Sequence, residues 1–323
     1  MGAPLMGELR ELFRDLFAAT ERWLFDPVPS HALLINRVGL GLVLFLAYGS
    51  RIGMIDVLYG PEGMVGAAFF ERYPEEPNVG WPGVYAFTQL RHVQSVEFIY
   101  ALYTLLLASS LAFAAGLWPR VTGTAALVLH ILFVGRNPGA TWGWATMIKP
   151  FLFYAILAAR RDQWSILHAI RARRGVSGPP IEWTIAGWPL RLLQVHVACV
   201  FFVLWDRFDE GSWLEGQMLS AALVSRDWGR LDVDWFPYFE WLEFFGVAAL
   251  VLECGAAIML WVPKVGRWWA LALIGMFATL VVTTAVGWWD FMMLFALTAF
   301  LPNEWLAAML RPIGMAPAEG AVT

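Results

Sequence analysis

Ionisable side chains inside long apolar stretches are the residues of this sequence that could do chemistry. They are Arg37, Glu97, His130, Lys149, His196 and Glu253, with Asp206, Arg207 and Asp290 at the ends of such stretches. A charge or an imidazole is costly to keep in apolar surroundings, so each one marks a candidate for function. His196 and Arg207 are eleven residues apart, about three helical turns or roughly 16 Å, which places them on one face of a helix. Asp206, Arg207, His196 and His130 make up the candidate ligand-binding set, as the wall of a polar cavity. A His130–His196 pair could also ligate haem. Each residue has a plainer reading beside the functional one. Arginine and lysine near helix ends reach the interface on long stems, buried charges pair to hold helices together, and a membrane histidine can be a hydrogen-bonded packing residue.

The elements that must position these groups are membrane helices. The chain has 323 residues, 59% apolar and only 15% charged, with 23 Phe, 19 Trp and 8 Tyr. Soluble domains average about 45–50% apolar and about 25% charged, so the composition excludes an ordinary cytosolic enzyme, a disordered chain and a nucleic-acid binder. One crossing needs about 20 apolar residues. On that measure the sequence predicts an all-α membrane helix bundle of about eight spans, near 31–50, 95–117, 120–135, 145–160, 187–206, 243–262, 267–286 and 288–303. The third, fourth and eighth are short, and re-entrant segments would lower the count to six or seven. No internal repeat is visible.

Positively charged loops stay cytoplasmic. Thirteen Lys and Arg fall on the side of the termini and seven on the other, Arg37 and Lys149 being inside spans, which places both termini in the cytoplasm and the protein in the cell (inner) membrane. Residues 1–28 read as an interfacial amphipathic helix, because Leu9, Leu12, Phe13, Leu16 and Phe17 recur at helical spacing with charges opposite. A helix packed on the protein's own inner face fits the same pattern. Residues 29–305 form one membrane domain and 306–323 a cytoplasmic tail. Cys199 and Cys254 sit in apolar stretches and read as small buried hydrophobes. No phosphate loop, zinc helix, CxxC pair or hydrolase elbow is present.

Several landmarks, taken in order, resemble the HTTM domain, the membrane part shared with vitamin K-dependent gamma-carboxylases. They are Arg37 in an apolar first span, the turn Gly116-Leu117-Trp118-Pro119-Arg120, and Arg136-Asn137-Pro138. Leu192-Leu193-Gln194 in the fifth span, Ser212-Trp213-Leu214-Glu215-Gly216 after it, and a closing helix pair ending in Phe291–Phe300 complete the set. The match runs from about residue 30 to 305. In the family, a lysine near the outer end of the fifth span is taken to deprotonate reduced vitamin K, and that position here is Arg207. Arginine stays protonated and is not a general base. Gly139-Ala140-Thr141-Trp142 and Ala278 stand where relatives carry polar residues, and the large extracytoplasmic domain is missing. The resemblance therefore implies a quinone or lipid pocket without gamma-carboxylation. Lys149, the one membrane lysine, is the candidate catalytic base if the fourth and fifth spans pack together.

Three function classes follow. The first is a lipid or quinone pocket in the bundle, with aromatic side chains stacking on a flat ring. The second is a non-catalytic membrane subunit that binds protein partners through its acidic extracytoplasmic loops. The third, transport, would need discontinuous helices meeting at the midplane, and Pro150 beside Lys149 is the hint of one.

Overall fold

The computed structural model describes residues 3–64, 93–140, 143–160, 163–176, 180–205, 214–215, 217–225, 229–230, 239–285 and 287–317. The expected all-α architecture is present. In chain order the elements are α1 (Ala3–Phe25), β1 (Pro27–Pro29), α2 (His31–Gly49), α3 (Ile55–Tyr59), α4 (Val96–Ala114), α5 (Pro119–Arg136), α6 (Trp144–Ala158) and α7 (Ile166–Arg173). They continue as β2 (Thr184–Ala186), α8 (Trp188–Phe202), α9 (Gln217–Val224), α10 (Phe239–Met259), α11 (Gly266–Thr283), α12 (Trp288–Leu297) and α13 (Asn303–Leu310).

Helices stand at all eight positions expected to span. Five regions are long and apolar enough to cross a bilayer: His31–Gly49, Val96–Ala114, Trp188–Trp205, Trp241–Met259 and Gly266–Thr283. The other three are those expected to be short. α5 has the length, but Arg120, His130 and Arg136 lower its hydropathy. α6 has 15 residues and α12 only 10 before a 3-10 turn.

Local chemistry fixes the helix starts. The Ser95 hydroxyl accepts the Phe98 N–H at 3.2 Å and donates to the Glu97 carboxylate at 2.9 Å, so Glu97 serves a helix cap. Pro119 opens α5 behind Trp118, which holds φ +45°. The centre of the bundle is α2, whose Gly39 and Gly41 face neighbours closely. A Cβ on Gly39 would sit 2.2 Å from the Phe295 ring, and one on Gly41 2.8 Å from the Ser110 carbonyl, so both positions require the smallest residue for helices to approach.

The packing repeats. α2, α4, α5 and α6 close a ring in which each touches the next and α6 returns to α2, and α8, α10, α11 and α12 do the same. Between the rings α2 meets α12, α6 meets α8, and α6 meets α12, which is the pattern a two-fold axis between the halves produces. Each ring is entered through a short strand. β1 and β2 pair antiparallel with Val28 opposite Ile185, and α2 and α8 begin three residues after these. The repeat lies in element order and contact pattern rather than in residue identity, which is why the sequence does not display it.

One apolar core runs through both rings. Two sequence expectations change. Cys254 is buried, but Cys199 is exposed on α8, where Val197, Ala198 and Phe201 take the buried face. The expected tail is also packed in part: Leu310, Met315 and Ala316 form a second small core with Leu34, against Trp164 and Trp183.

Candidate functional site

The structure places the sequence-predicted residues separately. His130 is wholly buried. Its Nε2 lies 2.9 Å from the Ala145 carbonyl, which can only accept, so Nε2 carries the proton. Nδ1 is then the acceptor for the Tyr48 hydroxyl at 2.9 Å. The Tyr103 hydroxyl in turn donates to the Tyr48 carbonyl at 2.5 Å. His130 therefore ties α2, α5 and α6 together, with both ring nitrogens engaged inside the protein.

His196 on α8 lies 3.2 Å from the Tyr154 hydroxyl and edge-on to Phe151. The partners of the two histidines on α6, Ala145 and Tyr154, are nine residues apart, about 13 Å along the axis, so the pair expected for haem is not brought together. Lys149 is half-buried on α6, one turn in from its start. Asp206 and Arg207 lie outside the described residues.

The landmark residues act as latches between helix ends. Arg37 is 2% exposed and donates from Nη2 to the Trp164 carbonyl at 2.7 Å. Its Nε and Nη1 have no hydrogen-bond partner. Gly116, at φ +72°, lies under this contact, and a Cβ there would be 2.7 Å from Nη2. At the other end of α5, Arg136 donates from Nε to the Tyr59 carbonyl at 2.5 Å and the Asn137 amide to the Leu58 carbonyl at 2.7 Å. Gln194 donates from Nε2 to the Ala299 carbonyl at 2.6 Å.

Arg37 and Gln194 each follow the paired residues Val28 and Ile185 by nine positions. They are counterparts in the two halves, and each holds the carbonyl of the segment that leaves its ring's last helix. Leu34 and Arg191 are counterparts in the same way, each six residues on.

Beside Gln194 the second half opens. A cleft of about 430 Å³ lies among the end of α1, the starts of α2 and α8, the α10–α11 turn and the segment after α12. Its aromatic rim is Trp23, Trp261 and Phe300, with centroids 6.1 Å apart for the first pair and 5.6 Å for the second. Arg191, Lys264 and Arg267 line it, and among the described residues no Asp or Glu does. Arg191 is held in place: Nη1 donates to the Gln194 Oε1 at 2.9 Å, Nε donates to the Trp23 carbonyl at 3.2 Å, and the guanidinium stacks 5.2 Å over the Trp23 ring. The volume is in the range of ligand sites, and the lining offers positive charge beside flat apolar surface. Lys149, His130 and His196 do not line it.

Comparison with known protein families, with characterised proteins and with solved structures finds no match. The cleft is what sequence reasoning missed. Arg191, Lys264 and Arg267 entered the count of basic residues that orients the chain, but that count carries no information on which of them converge. The available signal was Gln194, a polar residue in an apolar span, three positions from an arginine on the same helix face.

Proposed function

We propose that this chain is an integral membrane protein of eight spans that holds an amphiphilic ligand, a lipid or a quinone, and does not carboxylate. The observation that carries the reading is the aromatic-rimmed cleft in the second half. It combines about 430 Å³ of space with a tryptophan–phenylalanine wall and a charged edge at the end of five helices, which suits a molecule with an apolar body and a polar head. The repeat supports eight crossings, because α5 is the packing counterpart of α11, which has the length and hydropathy of a span, and α6 and α12 are counterparts of each other.

The charge balance read from the sequence puts the cleft at the cytoplasmic side of the cell membrane, together with both termini. The HTTM-like landmarks support a shared scaffold, since Arg37, Arg136, Asn137 and Gln194 close helix ends on backbone carbonyls. No covalent step is assigned to Lys149.

Mass spectrometry of organic extracts tests the proposal, comparing purified wild type with Trp261→Ala and Phe300→Ala, which remove the wall and leave the charges. A lipid or quinone held in near-stoichiometric amount by wild type and depleted at least fivefold in either variant supports it. Extracts alike in all three proteins, with bulk phospholipid only, reject it and favour the partner-binding subunit.

A further inference from the structure

The polar side of the cleft specifies what kind of head the ligand carries. Arg191, Lys264 and Arg267 line it, the Arg267 guanidinium lying 5.5 Å over the Trp268 ring and 5.7 Å over the Trp305 ring at its margin, and among the described residues the lining contains no carboxylate. Among the described residues the one ion pair is Arg14–Asp15, on the exposed face of α1, so none of the three cations is committed to a described acid. Three cations lining one opening give it a positive potential that attracts an anion from outside the chain.

Arg191 is preorganised for that role. Gln194, itself fixed on the Ala299 carbonyl, and the Trp23 carbonyl take Nη1 and Nε, so the guanidinium is held at the cleft wall. A guanidinium whose rotamer is already fixed loses little entropy on binding an oxyanion. Lys264 is held at φ +66°, a left-handed conformation that costs a non-glycine residue about 1 kcal/mol and persists where the surroundings impose it.

The other half supplies an internal control. Leu34 takes the place of Arg191, and the equivalent slot is occupied by Trp164 and Trp183 packed on Leu34, Leu310 and Met315. Its buried cation, Arg37, is directed to the Trp164 carbonyl. The same frame is thus closed and apolar in one half, open and cationic in the other.

We infer that the cleft binds the phosphate of an anionic lipid headgroup, with Arg191, Lys264 and Arg267 on the phosphate oxygens and the acyl or prenyl chain leaving along Trp261 and Phe300. This rests on the reading of the cleft as an amphiphile site. The charge of the head is the new element, and it excludes a neutral quinone as the resident ligand.

Native mass spectrometry of the full chain, delipidated in detergent and re-exposed to phosphatidylglycerol or phosphatidylcholine, tests it. Three proteins are compared: wild type, the triple variant Arg191→Gln/Lys264→Gln/Arg267→Gln, and the control Arg173→Gln/Arg174→Gln, which removes two exposed cations outside the cleft lining. The inference expects one phosphatidylglycerol retained per wild-type chain, at least tenfold over phosphatidylcholine, with that preference lost in the triple variant and kept in the control. Equal retention of the two lipids, or equal loss in control and triple variant, overturns it in favour of diffuse surface attraction. A second arm adds inorganic phosphate in the absence of lipid. Saturable stabilisation by millimolar phosphate that matches the lipid effect makes the ligand a free anion and overturns the lipid assignment. A neutral quinone co-purifying with wild type but not with Trp261→Ala would overturn the anionic head alone and leave the amphiphile reading standing.

Discussion

Replacing Tyr48 with Phe removes one hydroxyl from the middle of the bundle and leaves the ring. Tyr48 and His130 are both 0% exposed, so water does not take the place of the lost donor, and the His130 Nδ1 is left as a buried acceptor with nothing to accept. An orphan of that kind costs about 1–3 kcal/mol. The edge contacts of ring 48 with Tyr103 and Trp144 remain, so packing adds little. His130→Leu orphans the Tyr48 hydroxyl, the Ala145 carbonyl keeping its intrahelical position in α6, and costs about 1–3 kcal/mol. In the double variant the donor and acceptor of one bond vanish together. Its cost should therefore fall short of the sum of the singles by about 1–2 kcal/mol, the signature of a direct interaction. Reversible denaturant unfolding in mixed micelles, followed by tryptophan fluorescence, gives the three free energies. Additivity within about 0.5 kcal/mol would refute the bond, and with it the assignment of His130 as a structural tie. Nitrogen-15 spectra provide a second check, since the geometry requires the proton on Nε2.

The counterpart relation between Arg37 and Gln194 predicts that Arg37→Gln is at least as stable as wild type, because an amide can donate to the Trp164 carbonyl without burying an unpaired charge. A loss above about 2 kcal/mol in thermal or chemical unfolding would show that the charge itself is needed. Gly116→Ala should cost at least about 1–2 kcal/mol, from a left-handed φ and a Cβ placed 2.7 Å from Arg37; a neutral result would discount the latch. Burial, and then Arg171, hold the His168 imidazole below its ordinary pKa. The neutral form is the folded one, so its contribution is complete above pH 6.5 and declines as pH falls from there toward the lowered folded value. His168→Gln should flatten that part of a stability–pH profile, and an unchanged slope would exclude His168 as its source.

Much of the frame was legible in the sequence because membrane helices announce themselves by length and hydropathy. All eight expected spans coincide with helices, and the three expected to be short are the three that fail the length or hydropathy of a span. Ionisable residues inside spans stand out in the sequence, but sequence does not separate function from latch. Arg37 and His130 differ from a ligand set only in where their partners come from: Trp164 is 127 residues from Arg37, and Tyr48 is 82 from His130. The cleft was illegible for the same reason, since its cations come from α8 and from the α10–α11 turn, and only packing brings them to one opening. The packed C-terminal segment was read as a tail because Leu310 and Met315 lack a periodic apolar pattern long enough to predict burial.

The two halves show that the cleft is a property of connections and side chains rather than of the fold. In the first half, the carbonyl held by Arg37 lies six residues beyond the end of α6, and that longer segment carries Trp164 back over the slot. In the second half the carbonyl held by Gln194 lies only two residues beyond α12, and Pro302 then leads the chain into α13. The shorter exit has no residue to spare for covering its slot. α13 and the residues after it instead turn to the first half, where Leu310, Met315 and Ala316 complete the seal over Leu34. One connection thus leaves its own half open while its continuation closes the other, and the open half is the one that carries an arginine where its counterpart has leucine. Sealing and charging are opposite treatments of the same geometric feature. An adventitious gap in the second half would call for the Leu34 solution, an apolar plug. Instead, Arg191 lines the opening, fixed by two hydrogen bonds and stacked over the Trp23 ring, which is the arrangement the proposed anion site requires.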